Sequence, residues 1–142
     1  MPPSSSKSKE AAQAFVALQR LAGLFLEQLA ELLAPHNITP QQFNVLRILR
    51  GAGVDGIACA EISKRMITKD SDITRLLDRL EKLTFISRKR LNTDRRVILT
   101  RISDQGMVLL KQLDQPVLVL HRKQFKKVPN LDKFAAELTS LT

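Results

Sequence analysis

At 142 residues the chain has room for one compact unit that buries a core without help, since domains typically run to about 100–150 residues. Its only cysteine, Cys59, excludes an internal disulfide framework and a cysteine-based zinc site and fits a reducing cytoplasm, and no stretch approaches the roughly 18 consecutive apolar residues of a membrane span. The net charge of +9 is unevenly placed: residues 1–63 carry five groups of each sign, residues 64–101 twelve basic and five acidic, and residues 102–142 six and four, a concentration that marks a polyanion partner better than an evenly basic surface would.

Residues 1–9 are polar, lack the apolar core of a secretory signal and are expected to form a disordered arm. Residues 10–34 are rich in Ala, Leu, Glu and Gln, with apolar residues at Phe15, Leu18, Ala22, Phe25, Leu29 and Leu32, the three-and-four spacing of a helix. Leu21, Leu24, Ala30 and Leu33 widen that stripe past one face, so the helix wants more to pack against than its own small domain. Pro35 ends it.

Thr39-Pro40-Gln41-Gln42 is a helix start, with Thr at the N-cap, Pro at the first helical position and Gln three after the cap. The helix that follows runs through Phe43, Val45, Leu46, Ile48 and Leu49 and closes at Gly51 and Gly53. After a turn at Val54-Asp55-Gly56-Ile57, a third short helix is expected from Ala58 to Met66, with Ala60 and Ile62 on its buried side. A fourth is expected from Ser71 to Leu83 with Asp70 as N-cap. Its apolar residues Ile73, Leu76, Leu77, Leu80 and Leu83 share one side, which leaves Ser71, Thr74, Arg75 and Asp78 on the other. Three short helices joined by short turns suggest a helix-turn-helix unit.

The periodicity then changes. Phe85–Leu91 and Val97–Ile102 are short and strand-like, and Asn92-Thr93-Asp94-Arg95 between them is a turn cluster, so a β-hairpin is expected. Helical patterning returns from Ser103 to Phe125, where Pro116 is expected to kink or split the helix. A last amphipathic helix spans Leu131–Leu141. The expected fold is mainly α with a small β wing.

A helix fits the major groove of duplex DNA, and a cationic hairpin can reach the adjacent minor groove or backbone. Ser71, Thr74 and Arg75 have the right chemistry for bases or phosphates, although a solvated helix face accounts for them equally well. Arg88-Lys89-Arg90 and Arg95-Arg96 put five cations into one hairpin, where mutual repulsion favours an anionic partner as the explanation. Asp94 is expected to pair with an arginine and hold the turn.

Catalysis finds little support. The only histidines, His36 and His121, are far apart without neighbouring nucleophiles, and there is no Gly-rich phosphate loop or metal-spaced cluster. Asp70 and Asp72 are explained by capping and the helix dipole. No cofactor is implied. Cys59, near a helix start, is taken as a small packing residue.

The run Ile73-Thr74-Arg75-Leu76-Leu77-Asp78-Arg79-Leu80-Glu81, then Ile86-Ser87-Arg88, Asp94-Arg95-Arg96 and Ile102-Ser103-Asp104-Gln105-Gly106 resembles the signature of the MarR family of bacterial winged-helix transcriptional regulators. The motifs cover residues 38–106, and the element order covers the whole chain. The resemblance implies a homodimer in which residues 10–37 and 103–142 interleave as dimerisation helices and residues 38–102 form a winged helix-turn-helix on each flank. It further implies double-stranded DNA as partner, with Ser71, Thr74 and Arg75 at the major groove, Arg95 or Arg96 in the minor groove, and a small-molecule effector that releases the DNA. The family's redox-sensing branch keeps its cysteine in the first helix, where this chain has none. The family also places a glycine after the recognition helix, where this chain has Thr84. A β-branched residue is strained at positive φ, so the helix is expected to end another way. A winged-helix adaptor for proteins, with no sequence reading of DNA, is the alternative.

Overall fold

The computed structural model describes residues 6–142. Residues 1–5 of the expected arm lie outside the described residues, whereas residues 6–9 are helical: α1 runs Ser6–Leu33 without a break. Lys and Glu there are good helix formers, and Ser6 Oγ donates to Glu10 Oε1 at 2.7 Å, one turn on. A 3-10 turn, Ala34–His36, holds Pro35, and Asn37 then takes a left-handed φ of 59° to redirect the chain. The capping box at Thr39 is complete. Gln42 N–H donates to Thr39 Oγ1 at 3.2 Å and Thr39 N–H to Gln42 Oε1 at 2.9 Å, which starts α2, Pro40–Ala52.

The turn that follows ends in a short strand that periodicity did not indicate, β1, Ile57–Ala58. It pairs antiparallel with β3, Ile57 opposite Thr100. Gly56 makes the approach feasible: its φ is +75°, and a Cβ there would lie 2.5 Å from the Thr100 carbonyl oxygen. The third helix, α3, is therefore shorter than expected, Cys59–Arg65. Ile62 is buried in it and Ala60 is exposed, because residues two apart do not share a helix face.

The fourth helix, α4, spans Ile73–Lys82. The hairpin follows as β2, Ile86–Arg90, and β3, Ile98–Ile102, in the register Ile86–Ile102, Arg88–Thr100 and Arg90–Ile98. The three strands lie in the order β1-β3-β2. Pro116 does not split the long helix α5, Asp104–Gln124. An interior proline removes one hydrogen bond, and 21 residues carry the rest. Asn130 caps the last helix, α6, Leu131–Thr139, by accepting the Lys133 amide.

The core is built from one side of each element of the three-helix and hairpin unit: Val45, Leu46 and Leu49 of α2, Ile62 of α3, Leu76, Leu77 and Leu80 of α4, and Ile86 of β2. Leu33 closes it from the end of α1, and Leu109, Leu110, Leu113 and Val117 from the first half of α5. Outside that unit the burial is sparse. Leu33 is the only buried residue of α1 and α6 has none. Contact between them runs through aromatic rings, Phe25 edge-on to Phe125 at 5.2 Å and Phe125 beside Phe134 at 6.3 Å.

Candidate nucleic-acid interface

The two faces of α4 are chemically distinct. Leu76, Leu77 and Leu80 are buried, whereas Thr74, Arg75, Asp78, Arg79 and Lys82 are exposed. The helix begins two residues later than expected. Its cap is Asp72, whose Oδ1 accepts the Arg75 amide at 3.2 Å. Asp70 instead accepts the Asp72 amide at 2.8 Å. Two aspartates in series thus turn the chain into the helix, because each short carboxylate satisfies an amide that has no helical partner. Ser71 is exposed in that turn, before the helix and not on it; Thr74 and Arg75 are in the first turn of α4. The loop leading there is pinned from α2, where Asn44 Oδ1 accepts the Ile67 amide at 2.9 Å.

Arg79 and Lys82 were not singled out by sequence reading, although the signal was present. Four and seven residues after Arg75, they continue its stripe along the helix. None of the three side chains makes an ion pair among the described residues, so their charge is available to an anion.

The end of α4 differs from expectation. Thr84 does adopt a left-handed φ, 67°. Its amide donates to the Glu81 carbonyl at 2.9 Å and the Phe85 amide to the Leu80 carbonyl at 3.0 Å, the paired bonds of a Schellman motif that glycine ordinarily completes. Tertiary contacts hold the threonine there. Ser103 Oγ donates to the Thr84 carbonyl at 2.6 Å and the Ser103 amide to the Phe85 carbonyl at 3.0 Å.

In the wing, Asp94 Oδ1 accepts the Arg96 amide at 3.0 Å and its Nε at 3.4 Å. The hairpin end is closed by the Leu91 amide on the Val97 carbonyl and the Val97 amide on the Asp94 carbonyl. Even so, the Arg96 side chain is 93% exposed. Arg95 is exposed too, and its carbonyl accepts from Arg90 Nη1 at 2.9 Å. The five hairpin cations are therefore not equivalent. Arg88 is turned inward onto α4, where its Nη2 donates to Asp78 and, at 3.0 Å, to Glu81 Oε1, while its Nε donates to Glu81 Oε2 at 3.2 Å. The Arg88 hydrogen bonds hold the Glu81 carboxyl below its ordinary range, and the two carboxylates raise the Arg88 guanidinium pKa. Repulsion in the hairpin is relieved within the chain at Arg88, and among the described residues the hairpin cations left unpaired by carboxylates are Lys89, Arg90 and Arg95.

The remaining candidates fall elsewhere. Cys59 is half-buried at the start of α3. His121 Nδ1 is 2.9 Å from Gln124 Oε1 on the same helix. His36 lines an open, largely apolar cavity of about 570 Å³ with Pro35, Phe85, Val108, Leu109 and Gln112.

Residues 38–98 match the model of the MarR family. The HTH-type transcriptional repressor MdtR of Bacillus subtilis (strain 168) is 32% identical over 98 residues, 69% of this chain and 62% of that protein, so the match spans less than two thirds of the relative's length. The solved structure of a MarR transcription factor from Planctomyces limnophilus is 32% identical with a TM-score of 0.74, covering 92% of this chain and 93% of that one. A mutant MarR from E. coli, solved in complex with operator DNA, is 25% identical with a TM-score of 0.82 and covers 96% and 99%.

Proposed function

This chain belongs to the MarR family, and from that membership we propose that it is a cytoplasmic, sequence-specific DNA-binding transcriptional regulator, a repressor that acts as a homodimer on a pseudo-palindromic operator. The observation that carries the reading is the outward face of α4, where Thr74, Arg75, Arg79 and Lys82 stand exposed with no carboxylate among the described residues paired to the cations. A helix presented in this way enters the major groove and reads base edges. Arg75 is the base- or phosphate-reading cation, with Ser71 and Thr74 beside it. Arg96, with Arg95, reaches the neighbouring minor groove, where an extended guanidinium is favoured.

The homodimer rests on apolar surface that the single chain does not cover. Phe15 is 62% exposed and Leu24 49% on α1, and Val119 of α5 and Leu131 at the start of α6 are similarly open. Large apolar side chains left exposed along helices this long mark an interface. Two-fold pairing sets the half-sites about one helical turn apart, roughly 34–36 Å, and occupancy of the promoter represses transcription. The cavity beside His36 and Phe85 is of a size that admits a small lipophilic or phenolic acid. It touches the α1–α2 link, the exit of α4 and the start of α5, so an occupant there would re-space α4 relative to the dimerisation helices and release DNA.

The test is fluorescence anisotropy with the tightest duplex that the full chain selects from a random-sequence library, against a scrambled duplex of equal composition, at low and near-physiological salt. Retention of the selected duplex with loss of the scrambled one as salt rises is the expected result. Equal, salt-labile binding to both would overturn sequence-specific regulation and leave the protein-adaptor role. Sedimentation of the free chain as a monomer at micromolar concentration would overturn the dimer.

A further inference from the structure

Arg88 presents a different chemistry from the other hairpin cations. Its side chain is 22% exposed, against 93% for Arg96. One guanidinium grips two carboxylates three residues apart on α4, and the planar fork suits that task as an ammonium would not. Arg88 also stands opposite Thr100, which is 1% exposed, so its position along the hairpin is fixed by the core. Two residues on, and therefore on the same face of β2, Arg90 donates to the Arg95 carbonyl beside the Asp94–Arg96 turn. Polar contacts thus anchor β2 at two points on one face, Arg88 to α4 and Arg90 to the wing tip, with the strand itself joining them.

We propose that Arg88 is a positioning residue for DNA recognition: by holding Asp78 and Glu81 it fixes the wing, and with it Arg96, at a set orientation to α4, and it does not itself contact DNA. This rests on the DNA-binding reading given above. Two parts that read adjacent grooves must keep a constant spacing, because a displacement of the wing loses its contact while leaving the charge of the surface unchanged. Arg88 also neutralises the two carboxylates that α4 would otherwise present to phosphates.

The double variant Asp78→Asn/Glu81→Gln separates positioning from charge, since it keeps every cation and adds two units of net positive charge. If Arg88 served as a phosphate contact, or charge alone mattered, the variant would bind both duplexes more tightly with a steeper salt dependence. Positioning predicts the opposite for specificity. Affinity for the selected duplex falls by about 10-fold, the size of one lost base contact, while the scrambled duplex is held as well as or better than by the wild type. Arg96→Ala, added to this background, then costs much less than it does in the wild type.

A preference for the selected duplex that survives the double variant would overturn the inference, as would equal losses on both duplexes, which signal general damage to the fold. Should the double variant fail to fold, Arg88→Lys keeps the charge and removes the fork, and it is expected to lower the preference in the same sense. Failure of the wild type to select any duplex would sink the DNA-binding reading itself; loss of this inference alone would leave wild-type selection intact.

Discussion

Ser103 and Thr84 join the end of α4 to the start of α5: the Ser103 hydroxyl donates to the Thr84 carbonyl at 2.6 Å and accepts the Gly106 amide at 3.0 Å. One hydroxyl thereby closes α4 and opens α5, so a shift of either helix end is felt by the other.

Ser103→Ala removes both bonds. The expected loss is about 1–2 kcal/mol, the usual cost of a deleted N-cap, read as a lowered midpoint in urea with an unchanged slope. Ser103→Thr keeps the hydroxyl and should stay within about 0.5 kcal/mol of wild type. A wild-type midpoint for the alanine variant would show that the joint adds nothing to stability.

Gly106 is demanded by space, not by backbone freedom. A Cβ there would lie 2.4 Å from the Phe85 carbonyl oxygen and 2.7 Å from Ile102 Cγ1. Both neighbours belong to the exit of α4 and the end of β3, which the core holds in place. Gly106→Ala is expected to destabilise the protein by about 1–3 kcal/mol, as overpacking does, despite the better helix propensity of alanine. Thermal melting that is unchanged or improved would contradict the close approach.

Thr84→Gly should have the reverse sign. The left-handed conformation costs a side chain with a Cβ about 1–2 kcal/mol, and the greater freedom of glycine in the unfolded chain returns part of that. A net gain of about 0.5–1 kcal/mol is expected. If the melting temperature falls instead, the φ of 67° is not a source of strain.

On DNA, Arg75→Ala and Arg96→Ala are each expected to weaken binding to the selected duplex by about 1–3 kcal/mol. Asp94→Ala should weaken it less, since the Arg96 guanidinium remains and only the bonds that shape the turn are lost. The anisotropy titration that defines the wild-type affinity measures all three. Wild-type binding by both arginine variants would be incompatible with the proposed contacts.

The Glu81–Arg88 pair gives a pH signature. Arg88 holds the Glu81 carboxyl below its ordinary value of 4.5. A group whose folded-state pKa is depressed contributes stability that is fully present above the unfolded value and is lost as pH falls through the folded one. Glu81→Gln should therefore be less stable than wild type at pH 7, by no more than about 1 kcal/mol because the pair is partly exposed, and the gap should close as pH falls below about 4.5. Urea melts at pH 7 and pH 3.5 decide it; a gap that is constant with pH would exclude the ionised pair as its cause.

Short-range chemistry was sufficient for much of this protein. The capping box at Thr39, the apolar side of α4 and the alternation of the hairpin are each written within about ten residues, because local hydrogen bonds and the periods of helix and strand require nothing farther away. The charge of residues 64–101 and the Arg75 stripe are legible for the same reason. Partners distant along the chain decided the rest. The strand at Ile57–Ala58 exists because β3 offers it an edge, and Pro116 stays within α5 because the helix packs on the core on both sides of it, through Leu113 and Val117. Thr84 accepts a glycine conformation because Ser103 and the sheet fix the carbonyls on either side of its link to Phe85. Arg88 carries the same charge as Arg96, and only the placement of Asp78 and Glu81 beside β2 turns one of them inward and leaves the other facing solvent. An arginine's role depends on which anion it meets, and that is settled when the helix and the hairpin pack together.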